Sequence, residues 1–179
     1  MSEWKIIEKE DISPSKWRRM EKWKVQTNNG KEEDAFISLL GDSAIVFGLT
    51  DENKVLLLTQ YCIGPQEYLK TFVAGFVDGD NSAEETIKHE LQEEAGCSAR
   101  EIIYLGNSHR SKWGVGKVHF YLAKGITQNL EQELEGLEDI SVEFISLEEL
   151  EKLLNESKIH DIASATCAEK ALRYLINNS

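Results

Sequence analysis

Short alternations of apolar and charged residues open the chain, and longer apolar runs follow. WKIIEK, residues 4–9, reads as a strand. Residues 16–27 continue with Trp17, Trp23 and Val25, and Asn29-Gly30 is a strong hairpin signal. Ala35 to Leu40 makes the return strand. Trp4, Trp17 and Trp23 read as core or interface packing. SAIVFGLT and KVLLLTQY, residues 43–50 and 54–61, are two buried strands joined by Asp51-Glu52-Asn53. Lys70 to Val73 is a short strand leading into Ala74-Gly75. Residues 101–108, EIIYLGNS, and the later VHFYLA and ISVEFISL complete the strands. His119 alternates with Val118 and Phe120, as a strand histidine does.

The period changes at Ser82. Ser82 is a good N-cap and Glu85 completes a capping box. Thr86, Ile87, Leu91 and Ala95 suit a helix interior, and Gly96 suits its stop, so a helix is expected from about Ala83 to about Ala95. Ser146 and Glu149 form a second box, opening a helix to about Asn155. A last amphipathic helix runs from about Ser164 to Ile176, with Ala168, Ala171, Leu172 and Leu175 on one stripe. Residues 127–139, TQNLEQELEGLED, have weak apolar content and read as a loop.

Chemistry concentrates on the first helix. At about 100° per residue, Glu90 and Glu94 lie about 40° apart, with Glu93 about 60° to the other side of Glu90. The carboxylates share one face, with Ile87 and Leu91 on the side that buries. Like charges there repel, and the i+4 positions of Glu90 and Glu93 are Glu94 and Cys97 rather than lysines. Clustered oxygens suit hard cations such as Mg²⁺ beside phosphates. A solvated acidic face is the other reading of the helix taken alone. A calcium loop starting at Asp78 fails, because Ala83 stands where glycine is needed and His89 where a bidentate Glu is needed.

The net charge of −12 argues against a general binder of nucleic acid or anionic membranes. An anionic substrate must then be met by metal or by local positive charge. Arg110, Lys112 and Lys117 are the best local phosphate contacts, and Trp113 beside them suits ring stacking. The N-terminus lacks an apolar secretory core, no apolar run approaches membrane-spanning length, and Cys62, Cys97 and Cys167 lack metal-ligand spacing. A cytoplasmic protein with reduced thiols is expected.

The stretch from Gly75 to Cys97 resembles the Nudix box: Gly, five residues, Glu, seven residues, then Arg-Glu-hydrophobe-x-Glu-Glu-x-Gly-hydrophobe. Gly75, Glu90, Leu91, Glu93, Glu94, Gly96 and Cys97 fall at matching spacings, while Asn81 stands for the first Glu and His89 for the Arg. The N-terminal region resembles the β subdomain of ADP-ribose pyrophosphatases, which is exchanged across a dimer in that branch. Gln60 and Tyr61 match that branch's Gln-Tyr-Arg strand end, with Cys62 replacing the Arg, and Thr71 stands near an expected Glu.

The resemblance implies a Nudix α/β/α sandwich with a mixed sheet (residues 43–179) behind an N-terminal β subdomain (residues 1–42), and a homodimer. It implies Mg²⁺- or Mn²⁺-dependent cleavage of the diphosphate in ADP-ribose or a nucleotide-sugar. Glu90 and Glu94 would hold metal, Glu93 would assist, and the Ala74 carbonyl would add a ligand. Glu133, Glu135 and Glu138 are candidates for the base, and Gln60, Tyr61, Arg110, Lys112 and Trp113 for substrate contacts. Asn81 and His89 read as a neutral hydrogen-bonded brace replacing the Glu–Arg pair. The alternative is a Nudix-like nucleotide-binding or regulatory module with little hydrolysis.

Overall fold

Alternation along the two apolar runs sorts their side chains onto opposite faces of one sheet. A computed structural model of the chain describes residues 3–16, 18–134 and 136–178. It divides into two units, one of residues 1–42 and 108–117, the other of residues 43–107 and 118–179.

The first unit holds an antiparallel three-stranded sheet of β1 (Lys5–Asp11), β2 (Met20–Gln26) and β3 (Glu32–Ser38). The expected Asn29-Gly30 turn joins β2 to β3, with Gly30 at φ +81°. Val25 and Ile37 are buried, whereas every residue of β1 is exposed. The 108–117 segment bonds to the end of β3, where Ser38 N–H donates to the Trp113 carbonyl at 3.0 Å. Trp17 lies outside the described residues.

The second unit is built on a seven-stranded mixed sheet. In chain order its strands are β4 (Ser43–Leu49), β5 (Lys54–Cys62), β6 (Glu67–Thr71) and β7 (Val73–Phe76). Helix α1 (Ala83–Ala95) and the two-residue β8 (Cys97–Ser98) follow. Then come β9 (Glu101–His109), β10 (Lys117–Lys124), the two-residue β11 (Thr127–Gln128) and β12 (Ile140–Ser146). Helices α2 (Leu147–Asn155) and α3 (Ile162–Asn177) close the chain. The sheet order is β12-β5-β4-β10-β9, with β6 paired to β5 and β7 to β4. β4 and β10 run parallel, in register from Ser43↔Val118 to Leu49↔Lys124.

On one face Ile45, Phe47, Val55, Leu57, Phe120 and Leu122 pack with Leu150 of α2 and Cys167, Ala168 and Ala171 of α3. On the other face Ala44, Val46, Leu56, Leu58, Tyr121 and Ala123 pack with Ile87, Leu91 and Ala95 of α1. Helices therefore cover both faces, the expected α/β/α sandwich. Each fully buried Leu or Ile on α1 contributes about 1.5–3 kcal/mol, so α1 is seated firmly on the sheet.

Three local expectations change. The strand expected over Lys70–Val73 is split at Phe72, whose N–H leaves the ladder to donate to Ser164 Oγ at 3.1 Å. The 127–139 stretch is not wholly loop, because Thr127 and Gln128 pair with Ser98 and Cys97. α3 starts at Ile162, earlier than Ser164, because the Asp161 carboxylate caps it by accepting the Ser164 N–H at 2.7 Å.

Candidate active site

Both ends of α1 are fixed as the sequence requires. The Ser82 hydroxyl accepts the Glu85 N–H, and the Glu85 carboxylate accepts the Ser82 N–H at 2.7 Å. That exchange satisfies donors the first turn leaves over. Gly96 ends the helix at φ +60° and lies against Leu130, where a Cβ would sit 2.4 Å from the Leu130 carbonyl oxygen. Glycine is required there on both counts.

Strand β7 runs beside α1 and receives two of its carboxylates. Glu94 is buried, and its Oε2 accepts the Ala74 N–H at 3.0 Å. Glu90 lies over Gly75 so closely that a Cβ there would be 1.7 Å from Glu90 Oε1. Gly75 thus leaves the space the Glu90 carboxylate occupies. Burial pushes the Glu94 carboxyl up to about 8, against the opposing Ala74 hydrogen bond, with Glu90, Glu138 and Glu93 adding like-charge repulsion.

A polar cavity of about 220 Å³ opens beside this helix. Phe76, Asp78, Asn81, Thr86, His89, Glu90, Glu93 and Glu138 line it. Glu138 thus comes to the same cavity as Glu90 and Glu93. Glu133 is exposed, and its backbone N–H donates to the Glu93 carbonyl at 2.9 Å. Glu135 lies outside the described residues. The Gln60 amide donates to Thr71 Oγ1 at 2.8 Å. The Tyr61 ring meets the Tyr68 ring edge-on, with centroids 5.3 Å apart. Arg110, Lys112 and Trp113 belong to the first unit, where the Lys112 ammonium lies 5.6 Å from the Trp113 ring.

The expected brace is not formed. Asn81 and His89 line one cavity, yet no hydrogen bond joins them among the described residues, and His89 has no ion pair with Glu93. Asn81 closes a turn through its N–H to the Asp78 carbonyl at 3.3 Å. Sequence reasoning missed Phe76, Asp78 and Thr86 as lining residues. The signal was present for Asp78, which closes the same glycine-rich turn as Asn81.

Among the described residues, no three acidic, imidazole or thiol groups converge closely enough to hold an ion as they stand. The chemistry of the donors still fits a hard divalent cation. Glu90, Glu93 and Glu94 are oxygen donors on one face, and burial together with the neighbouring acids raises the Glu94 carboxyl to about 8. Positive charge there would relieve both penalties.

Fold and site together define an α/β/α sandwich with a carboxylate helix set against a glycine-bearing strand. The sequence matches the NUDIX domain over residues 39–165, and the chain belongs to the Nudix family. It is 27% identical to an ADP-ribose pyrophosphatase of Bacillus subtilis (strain 168) over 173 residues, 96% of this chain and 91% of the relative. It is 26% identical to a methanol dehydrogenase activator of Bacillus methanolicus over 161 residues, 88% of this chain and 86% of that one. The crystal structure of an ADP compounds hydrolase shares the fold, with a TM-score of 0.88 at 17% identity, covering 100% of this chain and 97% of that one.

Proposed function

We propose that the protein hydrolyses the diphosphate of a nucleoside diphosphate linked to another group, ADP-ribose or a nucleotide-sugar, with Mg²⁺ or Mn²⁺. The observation that carries this reading is Glu94, buried against Ala74 and raised to about 8 beside Glu90, Glu93 and Glu138. A carboxyl so placed has no packing reason to be there, and perturbed groups of this kind gather at functional sites. Glu90, Glu93, Glu94 and the Ala74 carbonyl would hold the ion, which supplies Lewis-acid stabilisation of phosphoryl oxygens when bound. Glu138, at the rim of the same cavity, takes the proton from the attacking water. Tyr61 stacks on a ring of the substrate. The protein works in the cytoplasm as a homodimer, joined through exposed β1 with its Ile6 and Ile7 and through Trp4 just before it.

A screen of nucleoside-diphosphate derivatives with Mg²⁺, read by phosphate release after phosphatase coupling, tests the activity. Turnover of ADP-ribose or a nucleotide-sugar supports it, and no turnover of any compound overturns it. One observation favours a second reading, a binding or regulatory module. The cavity is lined by uncharged Asn81 where the Nudix pattern has a carboxylate, and one relative is named as an activator. Binding of the same compounds without turnover would select it. Sedimentation at micromolar concentration tests the dimer, and a monomer there refutes it.

A further inference from the structure

The loop that carries Glu138 is tied at both ends, and the two ties differ in kind. Its first half is clipped to the C-terminus of α1 by hydrogen bonds to successive carbonyls. Asn129 and Leu130 N–H donate to the Gly96 carbonyl at 3.1 and 3.0 Å, and Glu133 N–H to the Glu93 carbonyl at 2.9 Å. The Gln132 amide donates to the Glu94 carbonyl at 2.6 Å. Its second half ends at Asp139, which is held by the β5–β6 hairpin. The Asp139 carbonyl accepts the Tyr61 N–H at 3.3 Å, and Asp139 Oδ2 accepts the Tyr68 hydroxyl at 2.7 Å. The next residue, Ile140, enters β12 opposite Gln60.

We propose that Tyr68 is a positioning residue for hydrolysis: by donating to Asp139 it fixes the peptide from which Glu138 reaches the cavity. This rests on the assignment of Glu138 as the base. An O–H···O⁻ bond of this length is charge-assisted and stronger than a neutral one. The Tyr61 ring braces the donor edge-on, so the hydroxyl is held in place as well as bonded. Asp139 correspondingly keeps the Tyr68 phenol proton bound above its ordinary range. The chain on the far side of Glu138 has no such anchor nearer than Glu133 among the described residues. Removing the Tyr68 bond therefore takes away the side-chain tie at Asp139, while the Tyr61 N–H bond to the Asp139 carbonyl and the α1 clip remain. A displacement of about 1 Å at a reacting group can cost up to about a hundredfold.

The test compares Tyr68→Phe, which loses only the hydroxyl, with wild type, in native and Glu138→Gln backgrounds. The expected result is a roughly tenfold fall in kcat at unchanged KM, and no further fall in the Glu138→Gln background. Amide exchange at Tyr61, whose N–H the Asp139 carbonyl accepts, should quicken several-fold, with α1 unchanged. An unchanged kcat with unchanged exchange overturns the inference. So does an equal fall in both backgrounds, because Tyr68 would then act without Glu138. Asp139→Asn, which keeps an acceptor, should retain most activity, and its loss to the Tyr68→Phe level would count against a positional role. If Glu138→Gln itself keeps full activity, the base assignment fails separately, and exchange alone then decides whether Tyr68 holds the segment.

Discussion

In α1, carboxylates are placed by burial: a capping box starts the helix, Ile87 and Leu91 seat it, and Glu94 is sealed against Ala74. In the 129–139 loop, the ties among the described residues are hydrogen bonds. Leu134 and Leu137 are exposed, and the loop holds on through backbone and amide donors to the end of α1 and through Tyr68 at the other end. The helix has no basic residue in its last turn. Its end carbonyls, which a cation often serves, take the loop's donors instead. One terminus thus ends α1 and anchors the loop that carries Glu138. The difference teaches that the helix side of the cavity is set by core packing, whereas the loop side is set by individual hydrogen bonds.

The largest break is expected on the buried side. Glu94→Gln keeps the size and removes the charge, so metal-dependent turnover should fall by at least about a hundredfold. Stability should reveal the same group with metal removed. The folded carboxyl is raised to about 8 from its ordinary 4.5, so the native state binds the proton more tightly. Its contribution is full below about 4.5 and is lost as pH rises through about 8. Chelated wild type should therefore lose stability across that window while chelated Glu94→Gln does not, and saturating Mg²⁺ should reverse the loss in wild type. Denaturant melts at several pH values decide it, and parallel curves for the two proteins would reject the assignment.

Next is the strand under Glu90. Gly75 is not at positive φ, so alanine strains little backbone, but its Cβ would displace the Glu90 carboxylate. Gly75→Ala should cost roughly tenfold to a hundredfold in turnover with stability within about 1 kcal/mol of wild type. Kinetics at saturating Mg²⁺ alongside a thermal melt check the split, and wild-type kinetics would show that Glu90 is not needed where it lies.

At Gly96 the two halves meet. Gly96→Ala puts a side chain at φ +60° against the Leu130 carbonyl, so it should destabilise by roughly 1–3 kcal/mol and loosen the loop together with the helix end. Denaturant unfolding measures the first, and faster amide exchange at residues 129–133 the second. A wild-type midpoint would mean that the chain end relaxes freely.

The same comparison explains what could be read from residues. Burial leaves a periodic trace, so α1, the alternating faces of β4 and β5, and the shared face of Glu90, Glu93 and Glu94 were all readable before any coordinates. Hydrogen-bond scaffolds leave little trace. EYLKT carries no alternation, and β6 exists because β5 offers it partners from Tyr61↔Tyr68 to Leu58↔Thr71. β8 and β11 are two residues each and are defined by one another. Ile162 adds no apolar stripe because it is exposed, so the start of α3 is set by the Asp161 cap. Asn81 and His89 have matching hydrogen-bonding chemistry and suitable spacing and line one cavity, yet no hydrogen bond joins them among the described residues. Spacing fixes which face a side chain shares, not which neighbour it bonds.

The smallest effect is expected at Gln132, where the exposed clip can be cut without touching the cavity. Its amide donates to the Glu94 carbonyl at 2.6 Å, with a longer contact to the Ile140 carbonyl at 3.5 Å. It therefore bridges the end of the metal-type helix to the start of β12. Gln132→Ala removes that bridge while the backbone bonds from Asn129, Leu130 and Glu133 remain. A net loss of about 1 kcal/mol follows from one partly buried hydrogen bond. Turnover should drop only a few-fold, because Glu138 is approached from the Asp139 end, which keeps its Tyr68 and Tyr61 contacts. If the loop were instead a single rigid unit, cutting either end would cost the same, and Gln132→Ala would match Tyr68→Phe in kcat. Measuring both variants at saturating substrate separates a loop held at two independent points from one that moves as a body.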